Sequence, residues 1–78
     1  MKETEIFAKL EEIFEDVFDE KITLTADTTA NDVDDWDSLS HITLMAAVED
    51  EFGIKFTMKE VSSMKNVGEM VDIIKQRA

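Results

Sequence analysis

Apolar residues recur at three- and four-residue steps along this sequence, and no stretch alternates them in a sustained way. That restricts the chain to packed helices, because a helix gathers such residues onto one face whereas a strand needs a two-residue period. The first helical segment spans about Glu3–Glu20. Its Ile6, Phe7, Leu10, Ile13, Phe14, Val17 and Phe18 fall within an arc of about 140° at ~100° per residue. Glu11, Glu12, Glu15, Asp16 and Asp19 lie outside that arc and read as a solvated acidic face. With no proline and only two glycines, little interrupts the helices. Lys21–Trp36 reads as a long loop, pinned to the core by Ile22, Leu24 and Val33. A loop of this length in a small domain is often functional.

A second helix is expected at about Ser38–Phe52, with Asp37 as N-cap and Gly53 at the position just past its end. It carries two apolar stripes. Leu44, Val48, Phe52, Met45 and His41 form one. Leu39, Ile42 and Ala46 form another, more than about 90° away, flanked by Glu49 and Asp50. One stripe must face the core. The other is either buried in a tight bundle or left as a small acid-rimmed docking patch, and periodicity alone leaves those readings level. In "FTMKEV", Thr57 and Glu60 have capping-box spacing, and Phe56 and Val61 have hydrophobic-staple spacing. They open a short helix at about Met58–Ser63. Asn66 then caps a last helix with an apolar face of Val67, Met70, Val71 and Ile74, and Lys75 and Arg77 suit its C-terminal end. The expected fold is an all-α four-helix bundle: three longer helices, a short third helix, and a long loop between the first two. Residues 1–78 are expected to form one domain.

The formal net charge is −11, which disfavours nucleic acid and anionic lipid and favours basic protein surfaces. There is no cysteine, hence no disulfide, thiolate nucleophile or thiolate metal site. No apolar run approaches membrane-spanning length, and the N-terminus shows no signal-peptide core. A cytoplasmic monomer is expected.

Chemistry concentrates in "NDVDDWDSLSHITLM", where Asp32, Asp34, Asp35 and Asp37 crowd the approach to Ser38. An EF-hand loop fails in either register. Counting from Asp27, the glycine position falls on Asp32 and the twelfth on Ser38; counting from Asp32, the twelfth falls on Thr43. No dedicated metal site is expected. A phosphate-binding loop lacks its glycines and lysine. Asp37, Ser38 and His41 are triad residue types. However, Asp37 and Ser38 are neighbours at a helix start, His41 points toward the core stripe, and no glycine-rich nest offers an oxyanion hole, so no catalytic residue is assigned. His41 is expected to be a partly buried, hydrogen-bonded residue. Covalent attachment at Ser38 remains: a hydroxyl in a first helical turn is exposed and held at a defined angle. Free N–H groups there also favour a phosphate ester. A separate enzyme would have to supply the activating base.

The segment "WDSLSHITLMAAVEDEFGIKF" resembles the modification site and second helix of the acyl carrier protein family. The acidic first helix, long loop, short third helix and final "NVGEMVDII" match that family in order and spacing. The resemblance implies that Ser38, flanked by Asp37 and Leu39, carries 4′-phosphopantetheine, transferred from coenzyme A by a phosphopantetheinyl transferase. Cargo would ride as a thioester between acyl- or aminoacyl-loading enzymes and downstream biosynthetic enzymes, and the chain itself would catalyse nothing. It further implies a partner face of Leu39, Ile42 and Ala46 with Glu49, Asp50 and Glu51. Ser40 and Thr43 stand where acids are usual in carriers of fatty acid synthesis, and Trp36 replaces a small residue. These departures suggest a specialised carrier whose partners read Trp36 and His41. Met45, Met58, Met64 and Met70 are expected to be ordinary core. The alternative is an unmodified acidic helical module that binds a partner through its second helix.

Self-repulsion at this charge strains the compact state, so NaCl or MgCl₂ is expected to raise the melting temperature. Thermal melts with and without salt check this; an unchanged melting temperature contradicts it.

Overall fold

The computed structural model describes residues 2–78. It contains α1 (Glu3–Phe18), a 3₁₀ turn (Ala30–Asp32), α2 (Ser38–Phe52), α3 (Met58–Ser63) and α4 (Val67–Arg77). The all-α four-helix architecture is as expected, with no strand among the described residues. α1 packs against both α2 and α4. At the centre, Ile6, Leu10 and Phe14 of α1 meet Leu44 and Val48 of α2 and Met70 and Ile74 of α4, all fully buried. Each such side chain contributes about 1.5–3 kcal/mol through the water it leaves.

α1 stops at Phe18, two residues short of the expected Glu20. Asp19 turns left-handed there, with φ 53° and ψ 38°. Aspartate tolerates this region better than most residues, and it forms an αL-type helix end. The acidic pattern hides this stop, because Asp19 and Glu20 would fall on the solvent side of a longer helix in any case.

The loop between α1 and α2 is long but well tethered. Leu24 and Val33 are buried and Ile22 is half-buried against the core. The Leu24 N–H donates to a Glu11 carboxylate oxygen at 2.9 Å. Glu11 is therefore half-buried and tied to the loop, instead of standing on a purely solvated face. Thr29 and Asp32 cap the 3₁₀ turn reciprocally. The carbonyls of Thr28 and Ala26 accept from Val67 N–H at 2.8 Å and Gly68 N–H at 2.9 Å. They satisfy two donors that a helix start otherwise leaves open. Gly68 permits this approach, since a Cβ there would lie 2.9 Å from the Ala26 carbonyl oxygen.

The remaining caps match the spacing read from the sequence. Thr57 Oγ1 accepts from Glu60 N–H, Glu60 accepts from Thr57 N–H, and Phe56 and Val61 pack against the core. Asn66 Oδ1 accepts from Glu69 N–H, and the Glu69 carboxylate accepts from Lys65 N–H. Arg77 does more than complement a helix end. Its guanidinium grips both Glu60 carboxylate oxygens at 2.6 and 2.5 Å and donates to the Lys55 carbonyl at 2.9 Å. The C-terminal turn is thereby strapped to the start of α3. Of the methionines, Met45 and Met70 are core, Met64 is half-buried, and Met58 is 82% exposed. The expectation of ordinary core fails for Met58 because it is the first residue of α3 and faces outward. Among the described residues no helix is long and apolar enough to cross a membrane, and no cluster of ligating side chains is set to hold a metal ion.

Arg77, followed by the Thr57 N–H, pulls the Glu60 carboxyl down from 4.5 to about 2. A lowered carboxyl stabilises the fold while it is ionised. The stability difference between wild type and Glu60→Gln should therefore be full above about pH 4.5 and fade as pH falls toward 2. Urea unfolding across that range measures it; a difference that grows on acidification contradicts it.

Candidate functional site

The site begins with how α2 starts. Asp37 is extended, at φ −123° and ψ −170°, and its Oδ1 accepts from Leu39 N–H at 3.1 Å and Ser40 N–H at 2.9 Å. Ser40 answers in the other direction. Its Oγ accepts from Asp37 N–H at 2.8 Å and donates to the Asp35 carbonyl at 2.8 Å. The pair forms a capping box with serine in place of the usual Glu or Gln. Bonds with Ser40, and then the Leu39 N–H, hold the Asp37 carboxyl below its ordinary value. Ser38 is left as the first helical residue and is exposed. No hydrogen bond engages its hydroxyl among the described residues. An ester formed on that oxygen would break no internal bond.

The other triad types are committed elsewhere. Trp36 Nε1–H donates to His41 Nδ1 at 3.0 Å. An indole nitrogen can only donate, so Nδ1 accepts and the imidazole proton sits on Nε2. That N–H donates to the Val61 carbonyl of α3 at 2.9 Å. The two rings stack at 5.9 Å and 28°. His41 is thus partly buried and fully bonded, as expected, and neither Asp37 nor His41 activates Ser38.

α2 commits only one stripe to the core. Leu44, Met45 and Val48 are buried, whereas Leu39 is 80% exposed, Ile42 is 64% exposed and Ala46 is exposed. The reading in which both stripes are buried is therefore excluded. Asp50 lies beside the open stripe at ~100° per residue, whereas Glu51, also exposed, falls on another side of the helix near its end. Two residues expected on a partner face stand differently. Trp36 is only 8% exposed; it packs edge-on against Phe14 at 5.2 Å and lies 6.5 Å from Phe18. Most of its apolar area is drawn into the core, and little of it is left on the surface. Glu49 is half-buried and accepts from Phe56 N–H at 2.7 Å, fixing the connection to α3. The roles of Ser40 and Glu49 escaped the sequence reading. Ser40 sits at the N3 position of a capping box, which was the one available signal.

Between α2 and α3 lies an open groove of about 810 Å³. Ser38, Ile42, Met45, Ala46, Met58 and Val61 are among its lining residues, with Trp36 and His41 in its wall. The Ser38 hydroxyl and an apolar surface are therefore neighbours.

The chain matches the phosphopantetheine attachment site family over residues 8–74. It is 34% identical over 76 residues to an acyl carrier protein of Lactobacillus acidophilus, covering 96% of this chain and 95% of that protein. It is 36% identical over 77 residues to an acyl carrier protein of Coprothermobacter proteolyticus, covering 95% and 92%. The solution structure of a holo acyl carrier protein from Geobacter metallireducens superposes with a TM-score of 0.85 at 42% identity, covering 92% of this chain and 84% of that one.

The burial difference between the two apolar neighbours of the site has a measurable consequence. Trp36→Ala should cost about 3–5 kcal/mol, the usual loss for emptying an aromatic core position. Ile42→Ala should stay within about 0.5 kcal/mol, as exposed substitutions do. Chemical denaturation of the two variants checks the contrast; equal losses would contradict the placement of Trp36.

Proposed function

The chain belongs to the acyl carrier protein family, and from that premise we propose that Ser38 is the residue that bears its 4′-phosphopantetheine arm. A protein of this family is a carrier of acyl intermediates on that prosthetic group and is not itself a catalyst. The observation that carries the assignment to Ser38 is its free, exposed hydroxyl on the lip of an apolar groove. The arm supplies the thiol on which cargo is held as a thioester, and the chain offers no cysteine to compete with it.

The chain's own residues then have defined tasks. Asp37 and Ser40 lock the first turn, so Ser38 is presented at a fixed angle. Helix N–H groups favour the negative phosphodiester, although Asp37 already uses those of Leu39 and Ser40. With Asp37 and His41 engaged elsewhere, the base that activates Ser38 comes from the phosphopantetheinyl transferase. The groove offers an acyl tail an apolar surface beside its point of attachment. Leu39, Ile42 and Ala46, with the exposed Asp50 beside them, suit partner enzymes whose docking patch is apolar at its centre and basic at its rim. Charge of this sign would steer such partners in and weaken their approach at high salt. Residues 1–78 act in this reading as one carrier domain.

Incubation with coenzyme A and a broad-specificity phosphopantetheinyl transferase, followed by intact mass, tests the assignment. Wild type should gain one phosphopantetheine group and Ser38→Ala none. A gain in Ser38→Ala, or none in folded wild type, overturns it.

A further inference from the structure

His41 is the only histidine and Trp36 the only tryptophan, and the carrier role just described uses neither chemically. Their bonds nevertheless join three elements. The indole belongs to the loop and packs on Phe14 and Phe18 of α1. The imidazole belongs to α2, and the carbonyl it meets belongs to α3. α3 has only six residues, Met58–Ser63, so the Val61 carbonyl falls in the last turn, where carbonyls have no partner within the helix. His41 supplies that partner from across the groove. The opposite end of α3 is held by other means, the Thr57–Glu60 capping box and the Arg77 strap.

We propose that His41 is a positioning residue: it latches the C-terminal turn of α3 across the groove beside Ser38, and uptake of a proton releases the latch. The latch needs Nδ1 as an acceptor and Nε2 as a donor at once, which only the neutral ring provides. A second proton has only Nδ1 to occupy, where it meets the Trp36 N–H donor to donor. The latch is therefore closed at higher pH and opens as pH falls. No carboxylate replaces the lost bond. The charged side chains on the groove are Asp37, the N-cap of α2, Glu49 of α2 and Lys65 beyond α3. Asp37 and Glu49 are turned to the N–H groups of Leu39, Ser40 and Phe56. Glu60 of α3 is held by Arg77, and α1 meets the indole with Phe14 and Phe18. Release frees the end of α3 next to Ser38 and widens the groove there. That consequence rests on the Ser38 reading, whereas the latch itself does not.

The test uses the unmodified full chain, so it stands or falls independently of what Ser38 carries. The Trp36 indole N–H and the backbone amides around Val61 are followed by ¹H–¹⁵N NMR from about pH 8 to about pH 5, where histidine is the side chain that ordinarily changes charge. In wild type the indole and the α3 amides should move together with one midpoint. His41→Gln keeps the pattern of the neutral ring, since its carboxamide oxygen accepts and its NH₂ donates. It should hold the high-pH positions throughout, with both movements lost. His41→Leu, which has neither group, should show the released α3 positions at both ends of the range. The proposal is overturned if the indole of His41→Gln titrates as in wild type, or if the wild-type indole moves while the α3 amides stay in place.

Discussion

The rotation of α2 about its own axis decides nearly everything at the site, and that rotation is fixed by Leu44 and Val48. Both are fully buried against the rest of the bundle, so turning the helix would expose area worth about 1.5–3 kcal/mol for each. At ~100° per residue, Ile42 and Ala46 then stand about 160° from Leu44 and must face water. Ser38 lies about 120° away and Leu39 about 140°, also outward. His41, only about 60° away, falls at the edge of the core, where a polar ring needs partners and finds Trp36 and Val61. One buried stripe therefore sets the exposed hydroxyl, the open apolar face and the polar bridge together.

The start of α2 adds precision to that orientation. A lone N-cap would satisfy one or two N–H groups and leave the entering chain free to swing. Here Ser40 reaches back to both Asp37 N–H and the Asp35 carbonyl, while Trp36 anchors the preceding residue in the core. Ser38 is bracketed by these two anchors and engaged by neither. A carrier needs a rigidly placed hydroxyl with no bonding duty of its own, and the cap provides both. The same economy leaves neither Asp37 nor His41 bonded to Ser38. The chain's only imidazole and the nearest carboxylate are both spent on holding structure.

What was legible in the sequence is what local chemistry dictates. The helices follow from three- and four-residue spacing, and the starts of α2, α3 and α4 follow from Asp37, Thr57 and Asn66, the last two with a glutamate three residues on. The resemblance pointed to Ser38, the proposed attachment residue, because the motif that carries it is local too. Long-range competition was not legible. Whether Trp36 faces a partner or the core depends on Phe14 and Phe18, about twenty residues away in the chain. Glu11 and Glu49 look like surface charges until the loops that need their oxygens are in place. Asp19 ends α1 by a backbone choice that its side chain scarcely signals, and Met58 looks like core because hydrophobicity alone cannot say which way a first helical residue points. The two stripes of α2 were legible as a pair, but only the packed bundle shows which one remains open.

The bundle is already built around an unengaged Ser38, so the proposed modification there would add an arm without rearranging the frame. Backbone ¹H–¹⁵N spectra recorded before and after enzymatic transfer of phosphopantetheine test it most directly. Changes should be confined to the start of α2 and to the groove walls around Ile42, Met58 and Val61, with the amides of Leu10, Phe14, Met70 and Ile74 unmoved. Changes spread through those core positions, or a spectrum unaltered around Ser38 in protein shown by mass to be modified, would contradict it.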